Sequence, residues 1–520
     1  MALLTRLAEF PFERSMKKTL RLVCVFVISA FLITRFLFSP CAVHASDDDP
    51  NGRMAREFTI IKGCIERLSR EGAKIGCQVV LAKSGEVLWS HNPDVPLIPA
   101  SNTKLLTTAV ALIRLGTDYR FKTEVYATSR CIDGVINGDL YLKGLGDPFL
   151  VNEQMWALTH ELAMMGIKRV TGDIIADESF FDYPICPGGW NPDRPPYWYN
   201  AEIGPLSFNF NTITVFIQPG PAPGQKAYAV LDPDVPCMSL VNEALTVKAG
   251  RKRHLRVGRE YSEGKNVISV RGHIALDVPP VRIYRAIKDP SLYTLMAFRS
   301  FLQQQKIECG GTLKYGKTPH NAIPLYTHES KPLSRIIADL NKISNNFIAE
   351  QILLTLGAEI EGPPGTYEKG LLVVKETLKT RGIDLTGMEI HDGSGLSPQN
   401  RIPARLICDI LLYVAESEQC APEFISSLAI SGLDGTLKDR PLNGRVRGAL
   451  RAKTGSIRGV SALSGYLWTH EGERIIFSLL MNGENSQTGK FIDSQDRIVH
   501  VLSNLATETT PNNDRHAKGR

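Results

Sequence analysis

The two ends of this chain carry matching material, and any fold it adopts must bring them together. Near the start, Phe58, Ile61, Ile65 and Leu68 recur at helical spacing over residues 55–70. Two strand-like runs follow, Cys77–Lys83 and Glu86–Ser90, joined through Ser84-Gly85 as a hairpin. Near the end, Leu450–Ser456, Ala462–Trp468 and Arg474–Asn482 read as three strands, with a turn at Glu471-Gly472. A last helix, roughly 490–506, carries Phe491, Ile498, Leu502 and Leu505 on one face. Two early and three late strands predict one antiparallel sheet packed between terminal helices. The α/β domain they form is expected to comprise residues 46–125 and 326–507.

The middle of the chain differs in texture. Residues 126–325 are rich in Gly, Pro and short alternating runs such as Ile213-Thr214-Val215-Phe216-Ile217. This predicts an inserted, mainly β region, expected as two subdomains, and no internal repeat. The helical period returns through Leu333, Ile336, Ile337 and Leu340, then Phe347, Ile348, Ile352 and Leu353. A length of 520 residues agrees with such a multi-domain chain. Its 43% hydrophobic and 22% charged residues exclude a disordered or multi-span membrane protein. The balance of 60 basic against 54 acidic residues, +6 in all, is too weak to argue for a nucleic-acid partner.

Residues 1–45 read as an export signal with an upstream extension. Lys17, Lys18 and Arg21 precede an apolar run from Leu22 to Thr34, and Val43-His44-Ala45 offers small residues for cleavage. Arg35 interrupts the apolar stretch and Pro40 ends it, which favours cleavage over membrane anchoring. A periplasmic or otherwise extracytoplasmic location follows, and residues 508–520 read as a flexible tail. Cleavage after Ala45 leaves eight cysteines, an even number that permits disulfides but does not choose between them and buried thiols. No spacing of Cys or His suggests a metal, and no cofactor is expected.

Three short motifs carry chemistry: Ser101-x-x-Lys104, Ser344-x-Asn346 and Lys453-Thr454-Gly455. The first two patterns recur elsewhere, at Ser15/Lys18 and Ser90/Asn92 among others, so neither is informative alone. Lys-Thr-Gly occurs once. Context strengthens the set, because Ser101 opens a predicted helix, Ser344 lies between helical runs and Lys453 lies on a predicted strand. A serine hydroxyl is a weak nucleophile that needs a base within hydrogen-bond reach. At i and i+3 on a helix, Ser101 and Lys104 share a face. Lysine serves as base at neutral pH only if burial or a neighbouring cation lowers its pKa from about 10.4, and Lys453 is the cation available. Ser101 also competes for the simpler role of helix N-cap.

Taken together, Ser101-Asn102-Thr103-Lys104, Ser344-Asn345-Asn346 and Lys453-Thr454-Gly455-Ser456 resemble the motifs of penicillin-recognising serine acyl transferases. The stretch from Gly138 to Pro148, Asp392-Gly393-Ser394-Gly395-Leu396-Ser397, Asp434-Gly435-Thr436-Leu437 and Ser464-Gly465-Tyr466 narrow the resemblance. They are similar to D-alanyl-D-alanine carboxypeptidases of the penicillin-binding protein 4 type, peptidase family S13. The gap of about 240 residues between the first two motifs fits that family and not compact β-lactamases.

The resemblance implies a β-lactamase/transpeptidase-like domain with a central antiparallel sheet. It also implies cleavage of D-alanyl-D-alanine in peptidoglycan stem peptides, often cleavage of cross-links as well, and acylation by β-lactam antibiotics. Carried over by position, Ser101 is the nucleophile, Lys104 its base and Ser344 a proton relay. Asn346 holds the acyl-side amide, Lys453 helps bind the terminal carboxylate or sets the site's electrostatics, Thr454 hydrogen-bonds that carboxylate, and the N–H groups of Ser101 and Ser456 form the oxyanion hole, with Gly455 in the same strand. Asp193, close to Gly189-Trp190, is the family's candidate contact for the substrate amine, against the plainer reading of an exposed loop carboxylate. Competing functions are a β-lactamase and a non-catalytic β-lactam-sensing or wall-binding module. The basic run Arg251-Lys252-Arg253-His254-Leu255-Arg256 is either a peripheral contact for anionic wall or lipid surfaces or a solvated turn. Oligomeric state is left open.

Overall fold

In a computed structural model, residues 50–182, 187, 189–190 and 195–505 are described. The two ends of the chain share one six-stranded sheet. In spatial order its strands are Ala429–Ile430, Leu450–Ile457, Val460–Trp468, Arg474–Asn482, Lys74–Leu81 and Val87–His91. Every neighbouring pair is antiparallel. The early strand joins the late one in unbroken register, from Lys74 opposite Asn482 to Leu81 opposite Ile475.

Strand periodicity explains why these segments are apolar nearly throughout. Successive side chains point to opposite faces, and both faces of this sheet are covered. On one face Val79, Leu463, Phe477 and Leu479 pack against the helices Pro50–Arg70 and Thr488–Leu502, through Ile61, Ile65, Phe491 and Ile498. On the other, Val80, Ala462, Ile476 and Leu480 meet helices Thr103–Leu115, Leu333–Ile343, Asn346–Glu361 and Ala404–Glu416. The Thr103–Leu115 helix is buried from Thr103 to Leu112 on all sides. A helix buried on every face lies in the centre of a layer, and this one carries Lys104, Thr107 and Thr108 there.

The inserted region has its own core, including Val125, Leu142, Ile174, Val215, Ile268 and Phe298. Its largest sheet orders the strands Leu313–Tyr315, Ile174–Asp177, Leu140–Gly144, Lys122–Ala127 and Ile323–Glu329. The strands therefore run from Lys122 to Glu329, a few residues beyond 126–325 at each end. Two helices, Asn152–Met164 and Pro290–Gln304, pack among them. Arg251, Lys252 and Arg253 lie exposed just before the strand His254–Ser262.

Among the described residues Cys64, Cys77, Cys131, Cys237, Cys309, Cys408 and Cys420 are free thiols. No described helix is long and apolar enough to cross a membrane. The signal-like residues 1–45, the tail 508–520, Cys186 and Asp193 lie outside the described residues.

Candidate active site

The residues of the three motifs converge on a cavity of about 490 Å³. Ser101 lies in the 3-10 turn Ala100–Asn102 that leads into the Thr103–Leu115 helix. It does not cap that helix: the N-cap is Asn102, which makes no side-chain cap bond. The Ser101 hydroxyl instead accepts from the Lys104 amine at 3.1 Å. The same amine donates to Asn346 Oδ1 at 2.7 Å and to the Ser394 carbonyl at 2.6 Å.

Lys104 and Lys453 are both fully buried. Burial is the first cause that lowers the Lys104 pKa, and the buried carboxylates Glu350 and Asp392 oppose it. Lys453 is held well below its ordinary value by burial and then by repulsion from Lys104. The expected role of Lys453 in depressing Lys104 is taken by burial instead; the repulsion falls on Lys453. Lys453 donates to Ser344 Oγ at 2.8 Å and to the Thr454 carbonyl at 2.9 Å. Ser344 terminates the Leu333–Ile343 helix in the left-handed conformation, φ 62°, which turns the chain so that Asn345 caps the next helix through Ile348 N.

Asn346 is engaged at both ends of its amide, because Nδ2 donates to the Tyr199 carbonyl at 3.0 Å. One Nδ2 hydrogen and one Oδ1 lone pair are left for a substrate amide. Thr454 Oγ1 donates to Thr436 Oγ1 at 2.7 Å, on the cavity wall. Gly455 brings the strand close to the nucleophile: a Cβ there would stand 2.8 Å from the Pro99 carbonyl and 3.1 Å from Ser101 N. Ser456 also lines the cavity.

Sequence reasoning passed over several lining residues. Trp198 and Tyr199 come from the inserted region, Leu396 from the Asp392–Ser397 loop, and Ile457 and Arg458 from just past Lys-Thr-Gly. Thr436 was visible only as part of a family pattern, with no role. The Asp392 loop is itself pressed onto the nucleophile's turn. Gly395 has φ +80°, and a Cβ on it would fall 1.8 Å from the carbonyl of Ala100. Ala100 is left-handed too, φ 46°, a conformation that costs a non-glycine residue of order 1–3 kcal/mol and persists only where packing imposes it. Gly395→Ala is therefore expected to lower the melting temperature and to slow acylation of Ser101 together. Differential scanning calorimetry and a β-lactam acylation assay check this, and a variant unchanged in both would contradict the packing described.

Comparison with known proteins agrees with this geometry. A family model described as D-Ala-D-Ala carboxypeptidase 3 (S13) matches residues 61–505. A D-alanyl-D-alanine carboxypeptidase of Actinomadura sp. (strain R39) is 35% identical over 486 residues, covering 91% of this chain and 89% of the relative. The D-alanyl-D-alanine carboxypeptidase DacB of Haemophilus influenzae is 25% identical over 444 residues, covering 84% and 91%. The crystal structure of penicillin binding protein 4 (dacB) from Haemophilus influenzae shares the fold, with a TM-score of 0.73 at 23% identity over 84% of this chain and 97% of that one. By the extent of the family match and of the Actinomadura relative, this chain belongs to the D-Ala-D-Ala carboxypeptidase 3 (S13) family of peptidases.

Proposed function

We propose that this hydrolase is a serine D-alanyl-D-alanine carboxypeptidase that cleaves peptidoglycan stem peptides through an acyl-enzyme on Ser101. The observation that carries the reading is the Ser101 hydroxyl 3.1 Å from a fully buried lysine amine, at the floor of an open cavity. Lys104 takes the hydroxyl proton as Oγ attacks the penultimate D-alanyl carbonyl. The oxyanion forms between the N–H groups of Ser101 and Ser456, whose strand closes on the nucleophile at Gly455. Ser344, hydrogen-bonded to Lys453, passes a proton to the leaving D-alanine nitrogen. Water then cleaves the ester and restores Ser101.

Thr454 and Thr436 present paired hydroxyls for the terminal carboxylate, with Lys453 supplying electrostatic support. A cross-linked peptide differs only in its leaving amine, so the same acyl-enzyme gives endopeptidase activity. A β-lactam ring opened by Ser101 keeps its amine tethered and stays on the enzyme as an ester. Among the described residues lining the cavity there is no carboxylate, the kind of group a β-lactamase uses to activate water. That favours the peptidase over the lactamase reading. The export signal read in residues 1–45 places the enzyme outside the cytoplasm, where its substrate is. Asp193 remains our proposed contact for a substrate amine.

The direct test is D-alanine release from a peptide ending in D-alanyl-D-alanine. Ser101→Ala is expected to fall to background, a loss on the order of 10⁶-fold by comparison with other serine peptidases. Release at the wild-type rate would overturn the mechanism and favour a binding module. Thr436→Val removes one carboxylate partner without touching the nucleophile. It is expected to raise KM about tenfold, equivalent to ~1.4 kcal/mol, and to leave kcat within twofold. Steady-state kinetics on the same peptide read both constants.

A further inference from the structure

The mechanism leaves two fully buried carboxylates unused, and both are wired to the catalytic lysine. Glu350 lies one turn beyond Asn346 on the same helix, so the two side chains stack on one face. Its oxygens accept from Gly393 N and Ser394 N, each at 2.8 Å. Ser394 in turn presents its carbonyl to the Lys104 amine at 2.6 Å, and Gly393 presents its own to Thr107 Oγ1 at 2.8 Å. Asp392 holds the other side of this loop, accepting from Gly395 N, Ser397 N, Asn400 Nδ2 and Trp190 Nε1.

Neutral acceptors would satisfy these donors without the cost of burying charge. The Lys104 amine is what two carboxyl groups at this depth compensate. When Lys104 takes the Ser101 proton it becomes a buried ammonium; burial and then Asp392 hold the Glu350 carboxyl above its ordinary range, and its ionised form favours that change.

We propose that Glu350, with Asp392, is a positioning residue that orients the Lys104 amine through the Ser394 carbonyl and stabilises its protonated form during acylation. The proposal rests on the reading of Lys104 as base. The charged groups facing Lys104 are Glu350 on the Asn346–Glu361 helix, Asp392 on the loop, and Lys453 on the strand Leu450–Ile457. The two carboxylates raise its pKa against burial.

The sign of the effect follows. Only neutral Lys104 accepts the proton, so acylation falls on the acid side as the amine becomes protonated. Glu350→Gln removes the ionisable carboxyl, weakens the amine as a base, and moves that acid limb to lower pH. Acylation by benzylpenicillin, followed from pH 4.5 to 9, is expected to show the limb displaced downward by about one unit and the plateau reduced about tenfold. Glu350→Asp, which keeps the charge, should return the limb toward the wild-type position.

A uniform loss of rate with the limb in place would overturn the proposal and leave Glu350 as packing. If Glu350→Gln does not fold, Asp392→Asn is read in the same way. The wild-type protein labelled with ¹³Cε-lysine offers a reading without a variant. The Lys104 signal should titrate in two steps, reporting both itself and its carboxylate partner, and a single step would count against the coupling. Lys104→Ala acylated at the wild-type rate would overturn the base assignment itself. An inactive Lys104→Ala beside an unmoved Glu350→Gln limb would overturn only the inference.

Discussion

Lys104→Ala is expected to slow acylation of Ser101 by about 10³–10⁴-fold, the range lost when a positioned proton acceptor is removed. The size follows from how thoroughly the amine is committed. It is fully buried, and its three hydrogen bonds go to Ser101, Asn346 and Ser394. No neighbouring amine replaces it at the hydroxyl, since Lys453 is occupied by Ser344 and the Thr454 carbonyl. Burial holds its pKa below that of a free lysine, so the wild-type acid limb should lie well below pH 10. Stopped-flow acylation by a chromogenic β-lactam, compared across pH, measures both the loss and the limb. A loss below tenfold would show that another group takes the proton.

Lys453→Ala is expected to cost about 10²–10³-fold in kcat/KM for a D-alanyl-D-alanine peptide. The same truncation releases Ser344 from the position that hands a proton to the leaving amine. It also removes the amine that supports the carboxylate site at Thr454. A second consequence has a definite sign. Lys453 is held well below its ordinary value and is neutral where Lys104 titrates, so the Lys104 acid limb should stay in place. This contrasts with the downward shift expected for Glu350→Gln. Steady-state kinetics with pH variation tests it, and a normal rate would remove Lys453 from the mechanism.

Much of the central sheet is legible because its strands obey a simple rule. Val79 and Val80, or Leu479 and Leu480, are neighbours in sequence that face opposite layers, so an uninterrupted apolar run marks a strand covered on both sides. The terminal helices are equally legible from the spacing of Ile61 and Ile65, or Phe491 and Ile498. The helices of the inserted region were not, because their apolar residues lie inside a stretch dominated by Gly, Pro and alternating runs.

At the site, the residues of the three motifs were visible as chemistry at short spacing. Their mutual placement was not, since Asn346 meets Lys104 across 242 positions of sequence. Thr436 was legible only within a family pattern, and Glu350 gave no local signal at all. A threonine in a loop and a glutamate in an apolar helix acquire roles only when the strand Leu450–Ile457 and the Asp392 loop close on them. Ser101 shows two local readings in competition: a helix cap and an i,i+3 contact with Lys104, of which the structure makes the second.

The central claim is that Ser101 forms a covalent acyl-enzyme, and intact-mass analysis after incubation with benzylpenicillin tests it most directly. The account predicts a gain of one ligand mass on the wild-type protein, mapped by peptide digestion to Ser101 and absent from folded Ser101→Ala. An adduct that persists in Ser101→Ala, or a folded wild-type protein that gains no mass and hydrolyses no drug, would contradict it.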